Sequence, residues 1–178
     1  MRHKDVLRSK LARPSLRARA RPVKQRTAIG QIFSAVNQPV SLAMQCCERC
    51  GHVQYPSADL CGACLCPDLT FRSVSGRGVL LAKTELHHSL WEYFKRRIKE
   101  RPWRVGSVQL DAGPTVMAHM GSEDLVPGSK VQVFSHLDAT LSAVLITVGD
   151  EVNLDRSERL AIVRRLGLNN SSDKEGGF

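Results

Sequence analysis

The chain has 178 residues, 42% hydrophobic and 24% charged, an ordinary balance that suits one modest domain with an appendage. No apolar run approaches the roughly 18 residues of a membrane span, and the first forty residues contain no continuous apolar block of the secretory kind. The expectation is therefore a cytoplasmic, reducing setting with no membrane, where paired cysteines read as metal ligands before disulfides.

The formal charge of +9 suggests a nucleic-acid binder until it is located. Residues 1–40 carry ten Lys or Arg against Asp5 alone, whereas the rest of the chain balances 16 basic residues with 16 acidic ones. Residues 1–26 accordingly read as a basic, disordered arm. Three other readings stay open: an arm that touches an acidic partner, an Arg-rich organelle transit segment that is short of serine, and a start of translation downstream of Met1.

Residues 27–44 read as a short helix and linker, with Ile29, Ile32, Phe33 and Val36 at helical offsets and Pro39 ending the pattern. Next comes Cys47-Glu-Arg-Cys50-Gly51, ten intervening residues, and Cys61-Gly-Ala-Cys64. Two thiolate pairs on tight turns, separated by a hairpin-sized loop, make a tetrahedral set matched to structural Zn²⁺. Val53, Tyr55 and Leu60 are too few to order some twenty residues at about 1–2 kcal/mol each, so a bound ion is expected to determine the fold here. Four thiolates leave no open coordination position, which argues against a catalytic metal. Cys46 and Cys66 are spare: each could compete with a neighbour, but their spacings suit a two-residue turn less well.

Beyond Leu69-Thr-Phe71-Arg72, the Ser75-Gly76-Arg77-Gly78 stretch punctuates a change of period. Strands are predicted over 78–85, 105–110, 115–120, 130–134 and 141–148, with turns at Asp111-Ala-Gly113-Pro114 and Val126-Pro127-Gly128-Ser129. Five short strands after a glycine break suggest a small closed barrel, because closure removes exposed edges. Asp155 and Glu158 then cap a helix carrying Leu160, Val163 and Leu166 and ended by Gly167, and residues 169–178 read as a disordered end.

Taken in order, Cys47-x-x-Cys50-Gly51, Tyr55-Pro56 before Cys61-x-x-Cys64, Ser75-Gly76-Arg77-Gly78, Pro102-Trp103-Arg104-Val105-Gly106, Val108-x-Leu110-Asp111-x-Gly113 and Pro127-Gly128-x-Lys130-Val131 resemble the zinc-ribbon OB-fold proteins associated with acyl-CoA metabolism. Departures from that pattern are Leu65, where the family often has glycine, and the extra Cys66. The resemblance implies a mainly β chain: a rubredoxin-like zinc ribbon over 45–74, a five-stranded OB-fold barrel over 75–150, and a short helix with a tail over 151–178. It also implies a noncatalytic accessory subunit in lipid metabolism, one that positions an acyl-CoA thioester and docks onto a thiolase-like, hydratase-like or aldolase partner.

In an OB barrel the connection between the first two strands faces ligand. Here it reads His87 to Arg101, a sequence that places Trp91, Phe94 and Ile98 along one side of a helix and spreads Lys95, Arg96, Lys99 and Arg101 over the rest. Lys95, Arg96 and Lys99 could meet the phosphates of CoA and Trp91 could cover its adenine or pantetheine. The same residues could instead grip a partner, or form a solvated capping helix. His87 and His88 titrate in a useful range but lack a positioned triad partner, and His119 reads as a structural histidine. The rival function is a nucleic-acid module, which the near absence of aromatics in the later barrel strands disfavours.

Overall fold

Thr27, held extended, turns the chain into helix α1 (Ala28–Val36) by accepting the Gly30 amide on its hydroxyl at 3.2 Å. The structure is a computed structural model, and it describes residues 27–37, 42–89, 94, 98, 102–138 and 142–168. The helix stops at Asn37, which is completely buried. Its side-chain nitrogen donates to the carbonyls of Phe33 (3.0 Å) and Ala43 (2.9 Å), and its oxygen accepts the Ala43 amide at 2.7 Å. One amide side chain thus closes a helix and opens a strand.

That strand, β1 (Ala43–Cys47), starts two residues before the ribbon boundary read from the cysteines. The Asn37 clamp sets where pairing begins. All five β1 residues are buried, flanked by antiparallel β2 (Val53–Gln54) and β3 (Leu69–Ser73). Phe33 of α1 lies against Tyr55 and Phe71, with ring centroids 5.8 and 6.3 Å away. On the same helix Ser34 accepts the Ala143 amide at 3.3 Å, and Ser135 donates to the Asn37 carbonyl at 3.2 Å. Helix α1 therefore bridges the cysteine-bearing sheet and the second module.

The second module is a closed barrel of β4 (Arg77–Leu86), β5 (Trp103–Leu110), β6 (Thr115–Met120), β7 (Lys130–Leu137) and β8 (Ala143–Gly149), in the order β4-β5-β6-β8-β7. Closure comes from β7 pairing back to β4, with Gly78 opposite Val131, and from a parallel step between β6 and β8, with His119 opposite Ile146. Each strand lies where the sequence placed one. Four extend further, because the ladders continue to Leu86 opposite Trp103, to Leu137 opposite Ala143 and to Gly149 opposite Val131, and the last strand opens at Ala143 and not at residue 141.

Leu80, Val108, Leu110, Val116 and Val131 fill the barrel with 0–1% of their surfaces exposed. The glycine-rich junction is steric in origin. A Cβ on Gly76 would sit 1.8 Å from the Val133 carbonyl oxygen, and one on Gly78 would sit 2.2 Å from that of Gln109, so backbone passes where a side chain belongs. A second core forms outside the barrel, where Trp103, Phe134 and Ile146 meet Ile162, Val163 and Leu168. It is covered by helix α2 (Arg156–Arg165), capped by Asp155, whose carboxylate accepts the Glu158 amide at 2.8 Å. The helix ends with Leu168 donating to the Val163 carbonyl and Gly167 to that of Arg164. No helix among the described residues is long and apolar enough to cross a membrane.

Buried polar groups give opposite expectations at two sites. Asn37→Ala leaves the Ala43 amide and carbonyl without partners and should cost about 2–3 kcal/mol in urea unfolding. Thr147 is fully buried with no hydroxyl partner among the described residues. Thr147→Val should therefore leave stability within about 0.5 kcal/mol of the parent or raise it.

Candidate metal centre

The two Cys-x-x-Cys turns repeat one backbone design. Cys47 donates its amide to the His52 carbonyl at 2.9 Å and Cys61 to that of Cys66 at 3.0 Å; Gly51 donates to the Cys47 carbonyl and Leu65 to that of Cys61, both at 2.9 Å. The residue after the second cysteine of each pair has positive φ, +73° at Gly51 and +58° at Leu65. Glycine takes that conformation freely, whereas leucine is strained there by roughly 1–2 kcal/mol.

These turns gather four sulfurs. Cys47 Sγ lies 3.6 Å from Cys64 Sγ, Cys50 Sγ lies 3.7 Å from Cys61 Sγ, and all four fall within 4.8 Å of one another. A tetrahedron with metal–sulfur bonds of about 2.3 Å has edges of about 3.8 Å, so the donor set fits a four-thiolate ion. Cys47, Cys50, Cys61 and Cys64 are positioned to bind a metal.

The charge state of the cluster points the same way. The Cys50 backbone amide, with help from Arg49 and the sulfurs of Cys64 and Cys50, brings the Cys47 thiol down to about 6. Cys64 accepts from the Cys66 amide, which favours its thiolate, yet burial and the sulfurs of Cys50, Cys47 and Cys61 push it up to about 12. Thiolates this close resist being charged together, and a cation among them removes the penalty. Cys46 follows Cys47 directly on β1, donates to the Met44 carbonyl at 3.7 Å, and is raised chiefly by burial. Cys66 turns to Asp68, 3.6 Å from its carboxylate.

A buried glutamine pair braces the site, and the motif did not advertise it. Gln54 donates to Gln45 Oε1 (2.8 Å) and to the Leu60 carbonyl (3.2 Å), and accepts the Gly62 amide (2.9 Å). Gln45 exchanges two bonds of 3.0 Å with Ala58. Together they hold the loop that delivers the second cysteine pair. The available signal was positional: each glutamine sits in a strand flanking the first pair, at residues directly opposite in the ladder.

Of the expected CoA-contacting residues, Trp91, Lys95, Arg96 and Lys99 lie outside the described residues. Phe94 and Ile98 are described. They sit one helical turn apart, with Ile98 donating to the Phe94 carbonyl at 3.0 Å, and both pack against the outer core. Phe94 meets the ring of His119 at 6.2 Å, and Trp103 meets it edge-on at 5.5 Å. The Trp103 indole donates to His119 Nδ1 at 2.9 Å. Because an indole N–H only donates, Nδ1 of that imidazole is the acceptor, and the ring is held between Trp103 and Phe94. His87 and His88 are exposed, His87 lying 3.6 Å from Glu85.

Residues 71–136, from β3 through β7, match the family model of the ChsH2 C-terminal OB-fold domain. That stretch of the barrel is similar to the ChsH2-type OB fold. Among solved structures, a chain of the Ltp2–ChsH2(DUF35) aldolase is similar over 77% of this chain and 98% of its own, with 16% identity and a TM-score of 0.55. At that identity the likeness is one of fold, and at 77% of the chain it reaches beyond residues 71–136. A comparison with the curated proteins finds no match.

Two substitutions separate ligands from their supports. Gln54→Leu keeps all four cysteines and should lower metal affinity about tenfold or more in a chelator competition. Leu65→Gly should keep one ion per chain and raise thermal stability by about 1 kcal/mol, the strain released less the added freedom of the unfolded chain.

Proposed function

We propose that this chain is a noncatalytic accessory subunit of an acyl-CoA enzyme, docking onto a partner of thiolase-like, hydratase or aldolase type and helping to position its thioester. The observation that carries the reading is the pairing of a ChsH2-type barrel with a four-cysteine cluster on a separate sheet. The solved neighbour, named as an aldolase assembled from Ltp2 and ChsH2, supports an enzyme partner.

The ion in this reading is Zn²⁺ and its work is structural, since four thiolates complete its coordination. Bound there, it would supply a charge that lets Cys47, Cys50, Cys61 and Cys64 all stay deprotonated. The thioester would meet the β4–β5 connection, with Lys95, Arg96 and Lys99 facing the phosphates of CoA and Trp91 its adenine or pantetheine. Support comes from Phe94 and Ile98, which tie that connection to the barrel.

The rival reading, a nucleic-acid module, needs stacking rings on the barrel face. Outward positions of β5 and β6 offer Ser107, Gln109, Thr115 and Met117 instead, and the folded part has no excess of cations. A salt-sensitive gel shift that survives removal of residues 1–40 would favour that rival.

Changing Lys95, Arg96 and Lys99 to alanine together should weaken acyl-CoA binding about tenfold or more by calorimetry while metal content and melting stay unchanged. Unaltered affinity would remove the thioester from this loop.

A further inference from the structure

Helix α1 leaves half of its large apolar residues on the outside. A surface helix ordinarily buries its apolar residues and exposes its polar ones. Here Ser34, 8% exposed, and Asn37 beyond its end, fully buried, go into the body beside Phe33 and half-buried Ile29, while Ile32 is 50% exposed and Val36 36%. Phe33 turns inward to the rings of Tyr55 and Phe71, and the outer side presents Ala28, Gln31, Ile32, Ala35 and Val36. None of the nine helical residues carries a charge. The exposed Met117, by contrast, lies opposite Ser107, with Gln109 and Thr115 beside that pair.

The electrostatics at the start of the helix are unusual as well. Its first turn contains no acidic residue, although the positive end of the helix dipole favours one. The residues leading into it carry Arg17, Arg19, Arg21, Lys24 and Arg26 and no carboxylate. Ten residues span at most about 35 Å, so those cations stay within reach of whatever the helix touches. An uncharged apolar face next to concentrated positive charge calls for a partner surface that is apolar at its centre and acidic at its rim.

We propose that the outer face of α1, centred on Ile32 and Val36, seats in an apolar groove on the partner enzyme, and that carboxylates rimming the groove meet the cations of residues 17–26. This inference rests on the accessory-subunit reading and specifies which part of the chain makes the contact. A helix laid into a groove, anchored by residues four apart, is an established mode of recognition.

The test places a photoreactive benzoylphenylalanine at Ile32, at Val36 or at Met117 in the full chain inside its source cells, then sequences the cross-linked peptides. Both α1 positions are at least a third exposed, so the fold should tolerate the change, and metal content checks that it does. The expected result is cross-linking at Ile32 and Val36 to an enzyme of thiolase or aldolase type, within a groove flanked by Asp or Glu, and little at Met117. Capture of that enzyme at Met117 alone would overturn the α1 assignment and leave the accessory reading standing. Cross-links from α1 to a second copy of the chain or to lipid would also overturn it, and no enzyme at any position would remove both. With the cross-linking repeated in a low-salt lysate of those cells, changing Arg17, Arg19, Arg21, Lys24 and Arg26 to glutamine should cut the Ile32 yield about tenfold, on the scale of lost charge complementarity. An unchanged yield would contradict the acidic rim.

Discussion

Four sulfurs held within 4.8 Å of one another are the constraint on which the N-terminal module depends. Their mutual repulsion opposes the fold, and a cation between them converts that repulsion into attraction. Val53 and Tyr55 lean on the barrel's core, Leu60 is half exposed, and the module's own buried cluster consists of Cys47, Cys61 and Cys66 with Cys64 and Leu69 alongside. The face of the sheet that carries Met44 draws on the barrel's core, whereas the cysteine end is lined by sulfur, where a bound ion would supply by coordination what hydrocarbon burial does not.

Around that centre, polar side chains do work usually left to apolar packing. Asn37 joins helix to strand, Gln45 and Gln54 fix the loop between the cysteine pairs, and Ser34 and Ser135 fasten α1 to the barrel. Directional bonds of this sort specify one arrangement, because a shifted register would leave several buried amides unmatched. The barrel is different in kind. Its interior is aliphatic, and helix α2 covers a second core outside it, while Leu42 and Met44 from the cysteine-bearing module join the barrel's buried cluster and α1 fastens the two modules further. A two-part body with an apolar helix at the junction is in keeping with the docking role proposed for this chain.

Much of this was legible in the chain. The cysteine spacing announced the donor set, since two Cys-x-x-Cys turns need little besides a hairpin to meet. The barrel strands showed through alternation and through glycines that steric contact with Val133 and Gln109 makes obligatory. Asp155 declared its cap because the rule for N-caps is local. What stayed hidden depends on distant partners. Asn37 and the two glutamines read as ordinary polar residues until the fold buries them against the main chain. The inward turn of Ser34, with Ile32 and Val36 left outside, meets the expectation from apolar periodicity only at Phe33 and Ile29, for the offsets do not tell how much of a broad apolar face is covered. Leu65 carries a left-handed backbone without the glycine that would signal it.

The most direct test is native-state hydrogen exchange on the full chain with and without a strong chelator, alongside elemental analysis. One zinc per chain should be found. Its removal should abolish amide protection across β1, β2 and β3 while β4 to β8 keep theirs. Protection of β1 to β3 that is indifferent to the chelator, or a protein isolated gently with no stoichiometric metal, would contradict the account.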